Sequence, residues 1–189
     1  RGLGDVYKRQ VAEYACLQNY DMIACSGGDG TLNEVVHGVM NSGMSVPIGY
    51  IPSGSTNDFS RGLGIPRGIV NAAGWMLQGG RYVCDVGQFN DKYFMYVAAF
   101  GALVSVTYET PQQTKNVLGH AAYILNGITR LNTIRSYHMR VEYDGKCIED
   151  DFIFGMVTNS ASVAGMISLE NFLLDDGVYE VTPVSYTHL

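Results

Sequence analysis

Charge is scarce in this 189-residue chain. Asp, Glu, Lys and Arg make up 16% of it, and 18 acids against 12 bases leave a net charge of −6. An acidic chain without a basic run lacks the footprint that a phosphate backbone demands, so nucleic acid is excluded as a partner. Cysteine is also thin. Cys16, Cys25, Cys84 and Cys147 are scattered, with neither zinc-ligand spacing nor the pattern of a disulfide framework. Buried free thiols in a reducing compartment are expected. Long apolar runs are missing too. The longest, Phe94 to Val106, falls short of the roughly 20 residues a bilayer helix needs. No secretion signal is visible, and the expected location is cytoplasmic. No repeat or low-complexity tract interrupts the chain.

What remains is a core-forming composition, 47% hydrophobic, organised around one stretch. Asp21 to Cys25 is a short apolar run with the look of a buried strand. Ser26-Gly27-Gly28-Asp29-Gly30-Thr31 follows, and then Leu32, Val35, Val36, Val39 and Met40 recur at helical spacing. The glycines therefore sit at a strand-to-helix turn, where the backbone approaches a ligand closely and unpaired N–H groups face it. The expected guest is a phosphate. Asp29 would repel a bare phosphate, but it suits one bridged by a divalent cation. Thr31 is expected to cap the helix, with Glu34 as its capping-box partner. The four residues Gly27 to Gly30 also match an ordinary tight loop.

Asn41-Ser42-Gly43 marks the helix stop. Pro47 to Ile51 reads as a second strand, which completes a βαβ unit with a parallel sheet. Ligands bind such sheets at the carboxyl ends of the strands. The second strand's end carries Gly54-Ser55-Thr56-Asn57-Asp58, so two polar loops are expected to converge there. Backbone N–H groups and the Ser55 and Thr56 hydroxyls suit phosphate oxygens. Asp29 and Asp58 suit magnesium. Arg61 and Arg67 fit a phosphate, an anionic membrane surface or plain solvation.

Helices are expected over Val11–Asn19, with Val11, Ala12, Ala15 and Tyr14 on one face, and over Arg67–Gln78, with Ile69, Val70, Ala73, Met76 and Leu77 periodic. A short helix from the Asn57-Asp58 loop through Leu63 lies between them. After Gly80 the pattern turns to β. Hairpins are expected around Asn90-Asp91 and around Asp144-Gly145, with further strands at Gly155–Asn159, Ile167–Leu169 and Val178–Thr182. A helix at Lys115–Leu131 interrupts them; it suits core packing or a lipid groove. Asp85 falls mid-strand, as a solvated outward acid or a site residue. His37, His120 and His138 have no metal partner at ligand spacing.

Two runs, Gly-Gly-Asp-Gly-Thr-Leu-Asn-Glu-Val at 27–35 and Gly-Ser-Thr-Asn-Asp-Phe-Ser-Arg at 54–61, together resemble the diacylglycerol kinase catalytic-domain family. The likeness is greatest to its soluble bacterial lipid kinases, relatives of sphingosine and ceramide kinases. Lys115 to Tyr123 and Leu174 to Val181 carry the same resemblance, which covers about residues 11–183. NAD kinases share the Gly-Gly-Asp-Gly turn but not the Thr-Asn-Asp-Phe run.

The resemblance implies an α/β N-terminal nucleotide-binding domain with a parallel sheet, here 11–80, followed by an antiparallel β-sandwich domain, here 81–183, both incomplete. It implies ATP and Mg2+, with a phosphate moved to a lipid hydroxyl, most directly from diacylglycerol to phosphatidate, at the membrane surface. A homodimer is compatible with it. Gly27, Gly28, Asp29, Gly30, Thr31, Gly54, Ser55, Thr56 and Asn57 would hold the nucleotide. Asp29, Asp58 and Asp85 would form a magnesium-linked acidic network. Asp176, with the carbonyls of Leu173 and Val178, would hold a structural magnesium, although Asp175-Asp176-Gly177 also suits a plain tight turn. Residues 1–10 and 184–189 resemble translated adapter sequence. The family's general base and first strand are expected outside this chain, which by itself is expected to be inactive. The competing readings are a kinase of another acceptor, a sphingoid base or NAD, and a non-catalytic nucleotide-binding module.

Overall fold

The computed structural model describes residues 3–101, 135–160, 162–163, 167–168 and 173–185. The helix expected at Lys115–Leu131 lies outside them. The chain forms two compact units, one of residues 1–97 with 158–179 and one of 98–157 with 180–189. The change of composition near Gly80 thus falls inside the first unit.

The first unit opens with α1 (Leu3–Leu17), β1 (Ile23–Gly27), α2 (Asp29–Ser42) and β2 (Ile48–Pro52). β1 and β2 pair in parallel, from Ile23 opposite Ile48 to Gly27 opposite Pro52. The crossover helix α2 buries Leu32, Val35, Val36 and Val39, four of the five residues on the stripe that helical spacing predicted; the fifth, Met40, is exposed. Burying each such side chain contributes about 1.5–3 kcal/mol. The helix ends as expected at Gly43, whose φ of 67° is the left-handed conformation that glycine adopts without penalty. Its start differs. Gly28 occupies the N-cap and no side chain caps the turn. Thr31 lies inside the helix, and Glu34 pairs instead with Arg9 of α1 at 2.8 Å.

α1 begins eight residues before Val11, so residues 3–10, within the stretch that resembles adapter sequence, make up its first half. Ala12 and Cys16 are its buried face, whereas Val11 and Tyr14 are exposed. The periodicity had placed the latter two inward. α1 packs on α2 where Gly38 has no side chain; a Cβ there would stand 2.8 Å from that of Ala12.

Beyond β2 come α3 (Asp58–Gly62) and α4 (Ile69–Leu77). The α4 stripe is also shifted from expectation, with Ala72 buried and Ile69, Val70 and Leu77 exposed. One core joins these elements, formed by Ala12, Cys25, Leu32, Val35, Val36, Tyr50, Phe59, Ile65, Ala72 and Met95. β3 (Gly87–Phe89) and β4 (Lys92–Phe94) form an antiparallel hairpin about Asn90, whose φ is 55°. Residues 81–86 are not a strand, so Asp85 precedes the hairpin instead of lying in it.

In the second unit, the Asp144-Gly145 turn has positive φ at both residues, 47° and 70°. That is the geometry whose twist matches paired strands. It joins β6 (Tyr137–Tyr143) to β7 (Lys146–Thr158), with Tyr143 opposite Lys146. β7 absorbs the strand expected at Gly155–Asn159. It also neighbours β5 (Val97–Gly101) and β10 (Glu180–Ser185). Short β8 (Ser162–Val163) and β9 (Ile167–Ser168) pair in the first unit. The order of a parallel α/β portion before antiparallel sheets agrees with the expected class.

Candidate functional site

β1 and β2 run in register, so their carboxyl ends finish side by side. Ser53 N–H extends the ladder by donating to Gly27 O at 2.9 Å. The Tyr50 hydroxyl reaches the same carbonyl at 3.2 Å. The two polar loops leave from this edge and touch backbone to backbone. A Cβ on Gly54 would lie 3.0 Å from Gly28 N and closer still to Gly28 Cα. Only a pair of glycines permits that approach.

Asn57 fixes the second loop. Its side-chain carbonyl accepts from Gly54 N–H at 2.9 Å and its amide donates to Gly54 O at 2.7 Å. Its φ of 52° turns the chain into α3. Asn57 is therefore a staple of the loop, its amide using one N–H on Gly54 O and keeping a second. Ser55 and Thr56 stand exposed beside it. A cleft of about 470 Å3 opens next to them, lined also by Ser60, Arg61 and Arg67. Its hydroxyls and guanidiniums match phosphate oxygens.

Asp29 crosses from the first loop to the second. Its two oxygens accept from Asp58 N–H at 3.0 Å and Phe59 N–H at 3.2 Å, the first N–H groups of α3. The carboxylate therefore meets the positive end of that helix. Even so, burial pushes the Asp29 acid above its usual range; those two N–H bonds pull it back, and the Asp58 charge adds to the rise. A cation beside the pair would relieve both penalties. Asp58 is buried, 9% exposed. It accepts from the Tyr96 hydroxyl at 3.2 Å and lies 3.6 Å from Arg61.

Asp85 joins a different group. Its carboxylate accepts from Gly177 N–H at 2.6 Å, and its N–H donates to Leu174 O at 2.7 Å. In the same turn Asp176 accepts from Val178 N–H at 3.0 Å, while Leu173 and Val178 are exposed. These bonds shape the turn. Among the described residues, no three His, Cys, Asp or Glu side chains gather closely enough to hold an ion by themselves. The structure thus brings Asp29 and Asp58 together and places Asp85 with the 174–178 turn. Two carboxylates, completed by phosphate oxygens and water, still fit magnesium, which rarely demands an all-protein cage.

Sequence reasoning missed several contributors. Ser26 and Ser53 hydroxyls meet at 3.2 Å on the sheet edge. Tyr96 and Asn159, far apart in sequence from the loops, brace Asp58 and Asp85. Only for Ser26 and Ser53 did position beside the loops offer a signal.

Known proteins bear on this geometry. The sequence profile of the diacylglycerol kinase catalytic domain matches residues 4–89. The chain belongs to the diacylglycerol kinase catalytic-domain family. It is 40% identical over 173 residues to a diacylglycerol kinase of Bacillus subtilis (strain 168), covering 90% of this chain and 57% of that one. A Staphylococcus aureus (strain JH9) diacylglycerol kinase is 37% identical over 179 residues, 94% of this chain and 57% of its own length. A crystal structure of a diacylglycerol kinase from Bacillus anthracis superposes with a TM-score of 0.75 at 28% identity, covering 99% of this chain and 61% of that one. The chain spans a little over half the length of the curated relatives it matches. The family match runs through both polar loops and stops at Phe89, the end of β3.

Proposed function

We propose that this chain supplies the nucleotide-phosphate site of a lipid kinase, which moves the γ-phosphate of ATP to a lipid hydroxyl, with diacylglycerol as acceptor and phosphatidate as product. The observation that carries this reading is the meeting of the two loops, Gly28 against Gly54 with Asp29 against Asp58. Diacylglycerol as the acceptor rests on the likeness to the diacylglycerol kinases of Bacillus subtilis and Staphylococcus aureus.

Phosphoryl transfer depends on positioning and charge neutralisation more than on covalent help from the protein. The first turn of α2 has N–H groups without intrahelical acceptors, since Leu32 N–H is the first to bond back, to Gly28 O. The Gly30 and Thr31 N–H groups and the exposed Ser55 and Thr56 hydroxyls would orient the phosphate chain. Asp29 and Asp58 would hold magnesium, which when bound neutralises phosphate charge. Arg61 and Arg67 would face the anion from the cleft. Asp85 would act at longer range from its own turn. A structural magnesium would take Asp176 with the carbonyls of Leu173 and Val178. Work on a lipid hydroxyl places the protein at a membrane surface; among the described residues no helix is long and apolar enough to cross one.

The test is transfer of labelled phosphate from ATP to diacylglycerol in mixed micelles. It is run on the chain and on a chimera in which the chain replaces the matching segment of the Bacillus subtilis relative. Labelled phosphatidate from the chimera, lost in Asp29→Ala, is the expected result. Binding of ATP without transfer to diacylglycerol, a sphingoid base or NAD would instead support a non-catalytic nucleotide-binding module. Transfer to one of the other acceptors alone would change the substrate.

A further inference from the structure

Tyr96 belongs to none of the sequence motifs, yet it touches Asp58. Its hydroxyl donates to Asp58 Oδ2 at 3.2 Å, and its ring packs against the core of the first unit. The backbone of Tyr96 is pinned with equal care. Its carbonyl accepts from the Thr158 hydroxyl at 3.0 Å and from Asn159 N–H at 3.1 Å. Both donors are buried, Thr158 at 1% exposure and Asn159 at 0%.

Asn159 also reaches the other acidic group. Its side-chain amide donates to Asp85 O at 3.1 Å and Leu174 O at 3.2 Å, while its buried Oδ1 has no hydrogen-bond partner among the described residues. A buried amide with an unpaired oxygen is costly. Placing that amide at the junction of two acidic groups supports a framework role beyond simple packing.

We propose that Tyr96 is a positioning residue for the Asp29–Asp58 pair, and that Asn159 ties it to the Asp85 turn so that both acidic groups keep one fixed geometry. A carboxylate beside a second carboxylate has freedom to rotate away from it. The Tyr96 hydroxyl removes that freedom by holding one oxygen of Asp58. It thereby fixes the direction of the other oxygen, Oδ1, which faces Arg61 at 3.6 Å, without touching the ligand. Preorganised support of this kind is how residues behind a site set its affinity for an ion. The inference rests on the nucleotide site proposed above.

The test is Tyr96→Phe, which keeps the ring and deletes only the hydroxyl. Mn2+, a paramagnetic stand-in for magnesium, is titrated into the full chain with ATP and into the same ATP alone, and binding by the protein is read as the difference in free Mn2+ by electron paramagnetic resonance. Tyr82→Phe is the matched control. It deletes a phenol hydroxyl that donates to Leu63 O at 3.4 Å, away from the acidic pair. Losing a hydrogen bond to a charged group is expected to weaken Mn2+ binding about tenfold in Tyr96→Phe. Tyr82→Phe should bind as the unaltered chain does, and both variants should keep cooperative thermal unfolding. Unchanged Mn2+ affinity in Tyr96→Phe, with the unaltered chain binding normally, overturns the positioning role alone. Absence of binding by the unaltered chain overturns both this inference and the nucleotide site.

Discussion

Gly54→Ala adds one methyl group at the point where the two loops meet. That methyl would sit 2.8 Å from Asn57 Oδ1 and 3.0 Å from Gly28 N, with Gly28 Cα nearer still. Comfortable contact between carbon atoms begins at about 3.5 Å, so the loops must part by roughly 1 Å. Gly28 is backbone in the turn entering α2, and Asn57 is already held by two bonds to Gly54. Neither has a flexible end to yield. Overpacking of this kind costs about 1–3 kcal/mol. Replacing a glycine also restricts the unfolded chain, which returns about 0.4–1 kcal/mol. A net loss of about 1–2 kcal/mol is expected from urea unfolding followed by circular dichroism. The functional loss should be larger, because a 1 Å misplacement can cost about 10²-fold in rate. Gly30→Ala is the internal contrast. A Cβ there meets nothing within 4 Å, and the position lies in the first turn of α2. Ala is favoured over Gly in a helix by up to about 1 kcal/mol, so this variant should be as stable as the parent or more so. A Gly54→Ala chain that unfolds and binds nucleotide like the parent would refute the loop contact.

Three further outcomes follow from the same geometry. Burial raises the pKa of Asp29, so the folded state holds its proton more tightly than the unfolded state does. Its contribution therefore falls as pH climbs from about 4 through the raised value. Asp29→Asn should lose that slope, as read from urea midpoints, give up one of the two backbone N–H bonds that the Asp29 oxygens accept, and lose metal-dependent nucleotide binding. The His138 ring nitrogens lie 3.1 Å from Glu149 and 3.2 Å from Asp151, and donating to those carboxylates raises the pKa of the imidazole above 6.5. Its support of the β6–β7 hairpin is complete below that ordinary value and is lost as pH rises through the raised one. An NMR titration should show the rise, and Glu149→Gln should reduce it. Burial pushes the Cys25 thiol up to about 11, and Cys16 is fully buried. Iodoacetamide at pH about 8 should modify exposed Cys147 first and reach Cys16 and Cys25 only on unfolding; early labelling of Cys25 would contradict its burial.

Local signals served where local physics decides the outcome. The α2 stripe, the Gly43 stop, the parallel pairing of β1 with β2 and the Asp144-Gly145 hairpin are written in spacing and turn chemistry. The convergence of the two loops followed from the same βαβ pattern. Periodicity failed for α1 and α4, where the apolar stripe is ambiguous by one position and the neighbouring element chooses which side is buried. Ala12 and Cys16 won over Val11 and Tyr14 because Gly38 of α2 offers a seat only for a small side chain. Thr31 was misread because Asp29 to Gly30 already continue the helix. Asn57 carries an amide equally suited to phosphate or backbone, and nothing local says which it takes. Asp85, Tyr96 and Asn159 meet only through contacts between residues more than sixty positions apart, which no local pattern encodes.

The most direct measurement is an amide NMR titration of the isotope-labelled chain with ATP and magnesium. Shifts concentrated at Gly28 to Thr31 and at Gly54 to Asp58, present only when nucleotide and metal are both added, are the expected result. Shifts confined to one loop, or identical with and without the metal, would show that the two loops do not make one phosphate site.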